Sequence, residues 1–323
     1  MQRAAVICGL GAWVPTGTAA NSDWMFSRSG IRQRHIIEPG AATSDLAVEA
    51  GTRALKSAGE SNVDGVVLAT SSPDHPVPAT APAVATRLGL GPVLAFDVNA
   101  ACTGFVYGLA VATSLITSGL AERILLIGAE TPSTAVNPQD RIIAPLFGDG
   151  AGAVVLRAGT TQETGAVTQF DLGSDGQGVH LIRQVGGGSR QRSTHEPVQD
   201  ADQYLNVDGR EIFAAAVTSM TASCRRVLKS SGHSIGEVDR LIAHQANARI
   251  LGMVAHQLDL KPHQSVGNID EVGNTSAASI PLALAHGVRT GTLSAGHLTL
   301  LTAFGGGLTW GSTILRWPDL TID

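Results

Sequence analysis

The sequence predicts an α/β fold, a mainly parallel sheet with covering helices, and three observations carry that prediction. Continuous apolar runs of strand length occur at 63–70 (VDGVVLAT) and 123–128 (RILLIG), the pattern of strands buried on both faces. Ala-rich stretches with helical spacing lie between them. The second half of the chain repeats the alternation, which places helices against a sheet whose strands run largely the same way.

Taken in order, 4–14 reads as a first strand and turn. It superficially resembles a secretion signal behind Arg3, but Gly9, Gly11 and Pro15 break it as a helix, so Met1 is expected to be the mature start. Helix 44–58 opens on the capping-type Ser44 and sets Leu46, Ala47, Ala50, Ala54 and Leu55 on one face. The run 93–98 reads as a strand leading to Cys102, with a helix over 103–117 after it. Segment 149–156 (DGAGAVVL) is a Gly-rich turn running into a strand. In the second half, 212–229 reads as a helix, 240–243 as a strand, 247–258 and 279–289 as helices and 298–302 as a strand. Segment 305–315 (GGGLTWGSTIL) is again a Gly-rich turn entering a strand, so the halves rhyme as an internal duplication would. The most irregular stretch, 173–202, contains Gly186-Gly187-Gly188 and reads as a surface excursion, an active-site loop or a linker.

Composition bounds the function. A chain of 323 residues can bury two substantial cores. A net charge of -5 without any Lys/Arg-rich run argues against nucleic acid or an anionic membrane as the main partner. No stretch approaches ~18 uninterrupted apolar residues, so no membrane span is expected. Cys8, Cys102 and Cys224 are too scattered for a disulfide framework or a Cys-x-x-Cys metal site, which fits free thiols in a reducing cytoplasm.

Three separated polar residues suggest chemistry. Cys102, at a strand-to-helix turn, would feel the unpaired N–H groups and dipole of the helix, which lower a thiol pKa and supply a nucleophile. On position alone an inert buried thiol fits as well. His244 ends the strand 240–243, at the carboxyl end where α/β sheets place functional groups, and its Nε2 could donate to an oxyanion or accept a proton. Taken singly, a histidine satisfying a backbone carbonyl is the plainer reading. Asn274 in Gly273-Asn274-Thr275-Ser276 is either a turn residue or an uncharged oxyanion donor. Phe304-Gly305-Gly306-Gly307 lets backbone approach a ligand, and no Gly-Lys-Ser/Thr follows that would make it a phosphate loop.

Jointly, NAACTGF (99–105), HQANARI (244–250), GNTSAASIP (273–281) and FGGGLTWG (304–311), in this order, closely resemble β-ketoacyl-acyl-carrier-protein (ACP) synthase III of the thiolase superfamily. SGIRQRH (29–35) and FGDGAGA (147–153) extend the resemblance over nearly the whole chain. The resemblance implies a thiolase-like five-layered αβαβα fold of two duplicated halves, 1–165 carrying the cysteine and 166–323 carrying the histidine and asparagine, assembled as a homodimer. It implies Cys102 as acyl acceptor, His244 and Asn274 as the decarboxylation pair, and the backbone N–H groups of Cys102 and Gly306 as an oxyanion hole. The substrates would be an acyl-CoA thioester and a phosphopantetheinyl-ACP, with no permanently bound cofactor and no metal. Trp24, Arg28 and Arg141 match positions holding the CoA nucleotide, Asn247 the pantetheine arm and Phe304 the same cofactor channel. Arg249 matches the position that docks the carrier protein; Arg225, Arg226 and Lys229 either extend that basic patch or form a solvated helix face. Val77 and Phe147 match the acyl pocket, Val77 reaching across the dimer.

The chain departs from the family pattern in a short segment before Trp24, in Ile142 where glycine is general, and in His256 and Gln257 where basic residues are common. Valine at 77, where some straight-chain, acetyl-preferring members place phenylalanine, leaves room for primers larger than acetyl and favours a starter-unit role in polyketide or other secondary metabolism over housekeeping fatty-acid initiation. The competing classes are a thiolase-fold acyltransferase without decarboxylation, disfavoured by Asn274, and a non-catalytic partner subunit, expected to have lost Cys102 or His244.

Overall fold

The computed structural model describes residues 2–322; Met1, expected above as the mature start, lies outside the described residues. The first part of the chain runs β1 (Arg3–Trp13), β2 (Gly17–Ala20), α1 (Asp23–Ser29), β3 (Gln33–Ile36), α2 (Thr43–Ala58), β4 (Gly65–Ala69), α3 (Ala81–Arg87), β5 (Leu94–Val98), α4 (Gly104–Thr117), β6 (Arg123–Glu130) and β7 (Gly150–Thr160). It continues through β8 (Ala166–Val167), β9 (Gln169–Ser174), β10 (Ile182–Gln184), α5 (Ser189–Arg192), β11 (Leu205–Val207) and α6 (Gly209–Ser231). The last part is β12 (Arg240–Ala243), α7 (Ala248–Gln257), α8 (Ile269–Val272), α9 (Ser279–Arg289), β13 (Leu298–Gly305) and β14 (Thr309–Arg316).

Two sheets dominate. The first has the order β5-β4-β6-β7-β1-β8 and the second β12-β13-β14-β9. Both are mixed rather than mainly parallel: β4 runs parallel to β5 and β6, whereas β7 runs antiparallel to β6 and β1. In the second sheet β12 and β13 are parallel and β14 is antiparallel to β13 and β9. The departure has a local cause. A helix separates β4, β5 and β6, which forces parallel pairing, but no helix intervenes between β13 and β14, whose Gly-rich turn permits only an antiparallel return. A parallel bridge between Leu241 and Ser265 occupies the place on β12 that β5 occupies on β4, so the two sheets repeat one plan. The chain crosses between them at Thr168, after β8 pairs with β1 and before β9 pairs with β14.

The buried clusters separate five layers. Along β6, Ile124 and Leu126 face a central core while Leu125 and Ile127 face an outer one, which is why the run is apolar throughout. The central core joins Phe105, Leu109 and Ile116 of α4 to Ile280 and Leu284 of α9, between the two sheets. One outer core packs α2 and α3 on the first sheet; the other packs Met220 and Val227 of α6 and Val254 of α7 on the second. The layers are therefore α2/α3, sheet, α4/α9, sheet, α6/α7.

Most sequence-predicted elements lie within a few residues of their expected bounds. Helix α2 starts at Thr43, and Ser44 is not its cap: its Oγ accepts from Arg87 Nη1 at 2.8 Å, while Asp45 Oδ2 accepts from the Ala42 N–H at 2.7 Å. Stretch 173–202 is not a bare linker: it supplies β10, which pairs with β11 just beyond it as a two-stranded ribbon. Close layer contact depends on glycine at particular points. A Cβ on Gly11 would overlap the Ala50 carbonyl oxygen and the Ala54 nitrogen of α2, backbone atoms that cannot rotate aside. Gly11→Ala should therefore lose about 1–3 kcal/mol in urea unfolding, whereas Gly236→Ala, with open space around its Cβ, should change stability by less than about 0.5 kcal/mol.

Candidate active site

Cys102 and His244 sit where a strand ends and a helix begins, and Asn274 sits in the turn between α8 and α9. After β5, the Asn99 side chain accepts from the Ala101 N–H at 3.1 Å, Ala101 takes φ +47, and Ala101–Thr103 make a 3₁₀ turn that carries Cys102 to the start of α4. After β12, His244 is buried and its N–H donates to Thr302 on β13 at 2.8 Å. Before α9, Ser276 takes φ +49 and opens the 3₁₀ turn Ser276–Ala278. The two turns occupy equivalent places in the duplicated plan, each leading into one of the two central helices.

These parts enclose a pocket of about 540 Å³, lined by Cys102, His244, Asn274, Phe304, Gly306 and Asn247, with Phe147 and Glu130 also in its wall. The loop 304–309 is sewn onto the cysteine turn: Thr309 Oγ1 donates to the Ala100 carbonyl at 3.1 Å and lies 3.0 Å from Thr103 Oγ1. A Cβ on Gly305 would stand 2.8 Å from the Cys102 nitrogen, so only glycine allows the strand to lie against the turn.

Ser279 Oγ accepts from the Gln245 N–H at 3.1 Å and lies 2.6 Å from His244 Nδ1, so its hydroxyl can donate to Nδ1 and leave the ring proton on Nε2. That anchor leaves Nε2 for the pocket. Burial pulls the imidazole down to about 4, so it is neutral at pH 7. Asn274 Oδ1 accepts from the Ser276 N–H at 3.0 Å, which leaves its Nδ2 as a donor without charge. Its backbone bridges Phe147: Asn274 N–H donates to Leu146 at 2.9 Å and Gly148 N–H donates to Asn274 at 3.1 Å. Buried Asp149 holds that segment by accepting from the Ile37 N–H at 2.8 Å and the Ser133 N–H at 3.0 Å.

Cys102 behaves differently from the expectation. Burial pushes its thiol up to about 12 despite the hydrogen bond from Ser276, and buried Glu130 adds to the rise. The helix N-terminus is present, but removal of the sulfur from water and the facing carboxylate oppose a free thiolate. The sequence reading missed Glu130, Ser276 and Ser279. Two lie inside the 273–281 motif, and Glu130 was visible as a carboxylate closing an otherwise apolar strand.

Of the remaining candidates, Asn247 lies in the pocket wall and Trp24, Arg28, Arg141, Arg249 and Val77 lie outside it. Arg28 stacks on half-exposed Trp24 at 4.4 Å. Asn247 Oδ1 caps α7 by accepting from the Arg249 N–H at 2.9 Å, while Arg249 Nη2 donates to Ser27 at 3.2 Å. Trp24, Arg28, Asn247 and Arg249 thus share one contiguous surface where α1 meets α7. Gly30, at φ +77, ends α1, and a Cβ there would collide with Ala248. Arg141 is exposed on a turn whose N–H groups at Ile142 and Ile143 bond to Asp140 Oδ1 at 2.8 and 2.9 Å. Val77 is 84% exposed on the loop before α3. Arg226 makes a two-pronged pair with Asp171, and Arg225 donates to the Gln257 carbonyl at 2.7 Å.

Comparison with known proteins agrees with this geometry. Residues 96–176 match the family described as 3-oxoacyl-[acyl-carrier-protein (ACP)] synthase III, and 228–317 match its C-terminal region. The chain is 54% identical to β-ketoacyl-[acyl-carrier-protein] synthase III 5 of Streptomyces coelicolor, covering 99% of both. The chain belongs to the β-ketoacyl-ACP synthase III family. Membership makes it an acyltransferase on a thiolase fold. The solved synthase III of Pseudomonas aeruginosa PAO1 superposes with a TM-score of 0.92 at 51% identity, covering 98% of this chain and 99% of that one. A priming β-ketosynthase from the R1128 polyketide pathway superposes at 0.90 with 29% identity, over 99% and 98% of the two chains. Among the described residues no helix is long and apolar enough to cross a membrane, and no cluster of three or more His, Cys, Asp or Glu could hold a metal ion.

The buried imidazole predicts a pH dependence. The unfolded chain binds a proton at about 6.5, whereas native His244 does not until about 4. Its contribution to stability is therefore complete above pH 6.5 and is lost as pH falls through that window, on the order of 3 kcal/mol. Urea unfolding at pH 7 and pH 4 should show the wild type losing about that much more than His244→Gln; equal losses would contradict it.

Proposed function

We propose that this synthase condenses an acyl-CoA primer with malonyl-ACP, releasing CO₂ and CoA and giving β-ketoacyl-ACP. The observation that carries the reading is the convergence of Cys102, His244 and Asn274 in one pocket of a chain that matches synthases III over its whole length.

The residues take these roles. Cys102 attacks the thioester carbonyl, and the oxyanion that forms is held by the backbone N–H groups of Cys102 and Gly306. After CoA departs and malonyl-ACP enters, loss of CO₂ leaves an enolate whose oxygen accepts from His244 Nε2 and Asn274 Nδ2. Both donors are neutral, so the pocket accepts the negative charge only as it develops. The enolate carbon then attacks the acyl-Cys102 carbonyl.

The surface formed by Trp24, Arg28 and Asn247, with Arg141, receives the nucleotide and pantetheine through stacking and charge pairing, Phe304 lines the same channel, and Arg249 meets the acidic carrier protein. CoA thioester and carrier protein pass through as substrates, and no resident cofactor takes part. Arg226, engaged by Asp171, contributes less to docking than Lys229. The free outer edge of β5, with Leu94 41% exposed, supports a homodimer formed across the first sheet, in which Val77 of one protomer reaches the acyl pocket of the other beside Phe147. We divide the chain at 165/166 and place the protein in the cytoplasm. The small Val77 and the likeness to a polyketide priming enzyme favour a starter-unit role.

Mass spectrometry of the protein with acetyl- through octanoyl-CoA, then malonyl-ACP, tests the reading. Wild type should carry the acyl group on Cys102 and discharge it as β-ketoacyl-ACP. Cys102→Ala should carry none, and Asn274→Ala should stall at the adduct, with condensation slowed roughly a hundredfold or more. Val77→Phe should shift preference toward acetyl-CoA by about 1–3 kcal/mol. An adduct indifferent to malonyl-ACP would instead indicate simple acyl transfer.

A further inference from the structure

Glu130 is a fully buried carboxylate at the end of β6, and the roles given above leave it unused. It shares a face of the strand with Gly128, and a Cβ on Gly128 would stand 2.6 Å from the Ala277 carbonyl oxygen. That face looks onto the Ser276–Ala278 turn: the glycine lets the turn approach, and the carboxylate takes hold of it. Glu130 Oε1 accepts from Ser276 Oγ at 2.9 Å, a bond between residues 146 apart in sequence. The carboxylate is itself held from the first half of the chain. Oε1 also accepts from the Ser71 N–H at 3.1 Å and Ser71 Oγ at 2.8 Å, and Oε2 accepts from Ser72 Oγ at 2.6 Å. Ser72 Oγ in turn accepts from the Thr131 N–H at 2.9 Å. Hydrogen bonds to a carboxylate are stronger than those between neutral groups, so the tie to Ser276 is a firm one.

The backbone of Ser276 faces the chemistry. Its N–H donates to Asn274 Oδ1 at 3.0 Å. Only the oxygen end of a carboxamide can accept from an N–H, so this one bond decides that Nδ2 and not Oδ1 is left for the pocket. The Asn274 backbone is fixed separately by its bridge to Phe147, which does not by itself set the amide plane. Ser276 presents its N–H from a left-handed backbone at φ +49, a conformation that a residue with a Cβ keeps only when its surroundings over-determine it. Glu130 supplies that constraint through the hydroxyl of the same residue.

Resting on the synthase reading, we infer that Glu130 is a positioning residue for the condensation half of the reaction: by holding the Ser276 hydroxyl it fixes the N–H that aims the Asn274 amide at the enolate oxygen. An amide turned the other way would set Oδ1 against the developing negative charge in the place where Nδ2 donates. Acylation makes no such demand, because the first oxyanion is met by the N–H groups of Cys102 and Gly306. Loss of the Glu130 tie therefore weighs on the second half-reaction and not on the first.

Single-turnover mixing separates the two halves. The whole enzyme is loaded with the acyl-CoA that acylates Cys102 fastest, the adduct is counted by mass spectrometry, and malonyl-ACP is added to follow its discharge. Counting only acylated enzyme keeps any misfolded fraction out of the second rate. In Glu130→Ala and in Ser276→Ala, discharge should slow roughly tenfold to a hundredfold, and the ratio of discharge to loading should fall by nearly as much. The double variant should be no slower than the slower single one, because both cut the same tie. Glu130→Gln keeps an oxygen acceptor for the Ser276 hydroxyl and should recover most of what Glu130→Ala loses. Ser276→Ala, smaller by a single oxygen atom, decides the matter where Glu130→Ala does not fold. Equal slowing of loading and discharge, multiplied losses in the double variant, or discharge at the wild-type rate in Ser276→Ala would overturn the inference and leave the synthase reading intact. A wild-type adduct that malonyl-ACP does not discharge, or no adduct at all, overturns both.

Discussion

The close approach of two turns, Ala101–Thr103 and Ser276–Ala278, is the constraint on which the rest of this structure depends. They come from equivalent places in the two halves of the chain, and they meet only because glycine occupies the contact points. A Cβ on Gly128 of β6 would lie 2.6 Å from the Ala277 carbonyl oxygen, and one on Gly104 would lie 3.2 Å from the Ala277 Cβ. On the other side Gly305 lets β13 lie against the Cys102 nitrogen. The central helices α4 and α9 and the two sheets around them fix these contacts, so the fold's duplication and the site's geometry are one feature.

The three residues that converge in the pocket are neutral at rest. His244 is uncharged because water cannot reach it, Asn274 carries no charge, and the Cys102 thiol keeps its proton. Buried polar groups are tolerable only when their hydrogen bonds are made, and here the partners are specific: Ser279 for His244, the Ser276 N–H for Asn274, and three serines for Glu130. Such a site has little charge to reorganise when an oxyanion or enolate forms, and its donors are already aimed.

Much of the architecture was legible in the sequence because buried strands and amphipathic helices leave periodic marks. Run 240–243 and segment 279–289 coincide with β12 and α9, and the paired Gly-rich turns announced the duplication. Strand direction was less legible, since an apolar run does not say which way its neighbour runs; β7 and β14 are antiparallel because of what precedes them. At the site, the motif residues converge on one pocket, but the direction of the Cys102 pKa does not follow from its helix position. It depends on burial and on Glu130, far away in sequence. Ser276 and Glu130 were invisible as a pair for the same reason: no spacing rule relates a strand end to a turn in the other half.

The most direct test of the central claim, that the two turns build one site with Cys102 as the acyl carrier, is a crystal structure of the acylated enzyme. The account predicts a thioester on Cys102 whose carbonyl oxygen accepts from the N–H groups of Cys102 and Gly306, with His244 Nε2 and Asn274 Nδ2 left free for the second substrate. An acyl group on another nucleophile, or a thioester oxygen bound to His244 and Asn274, would contradict it.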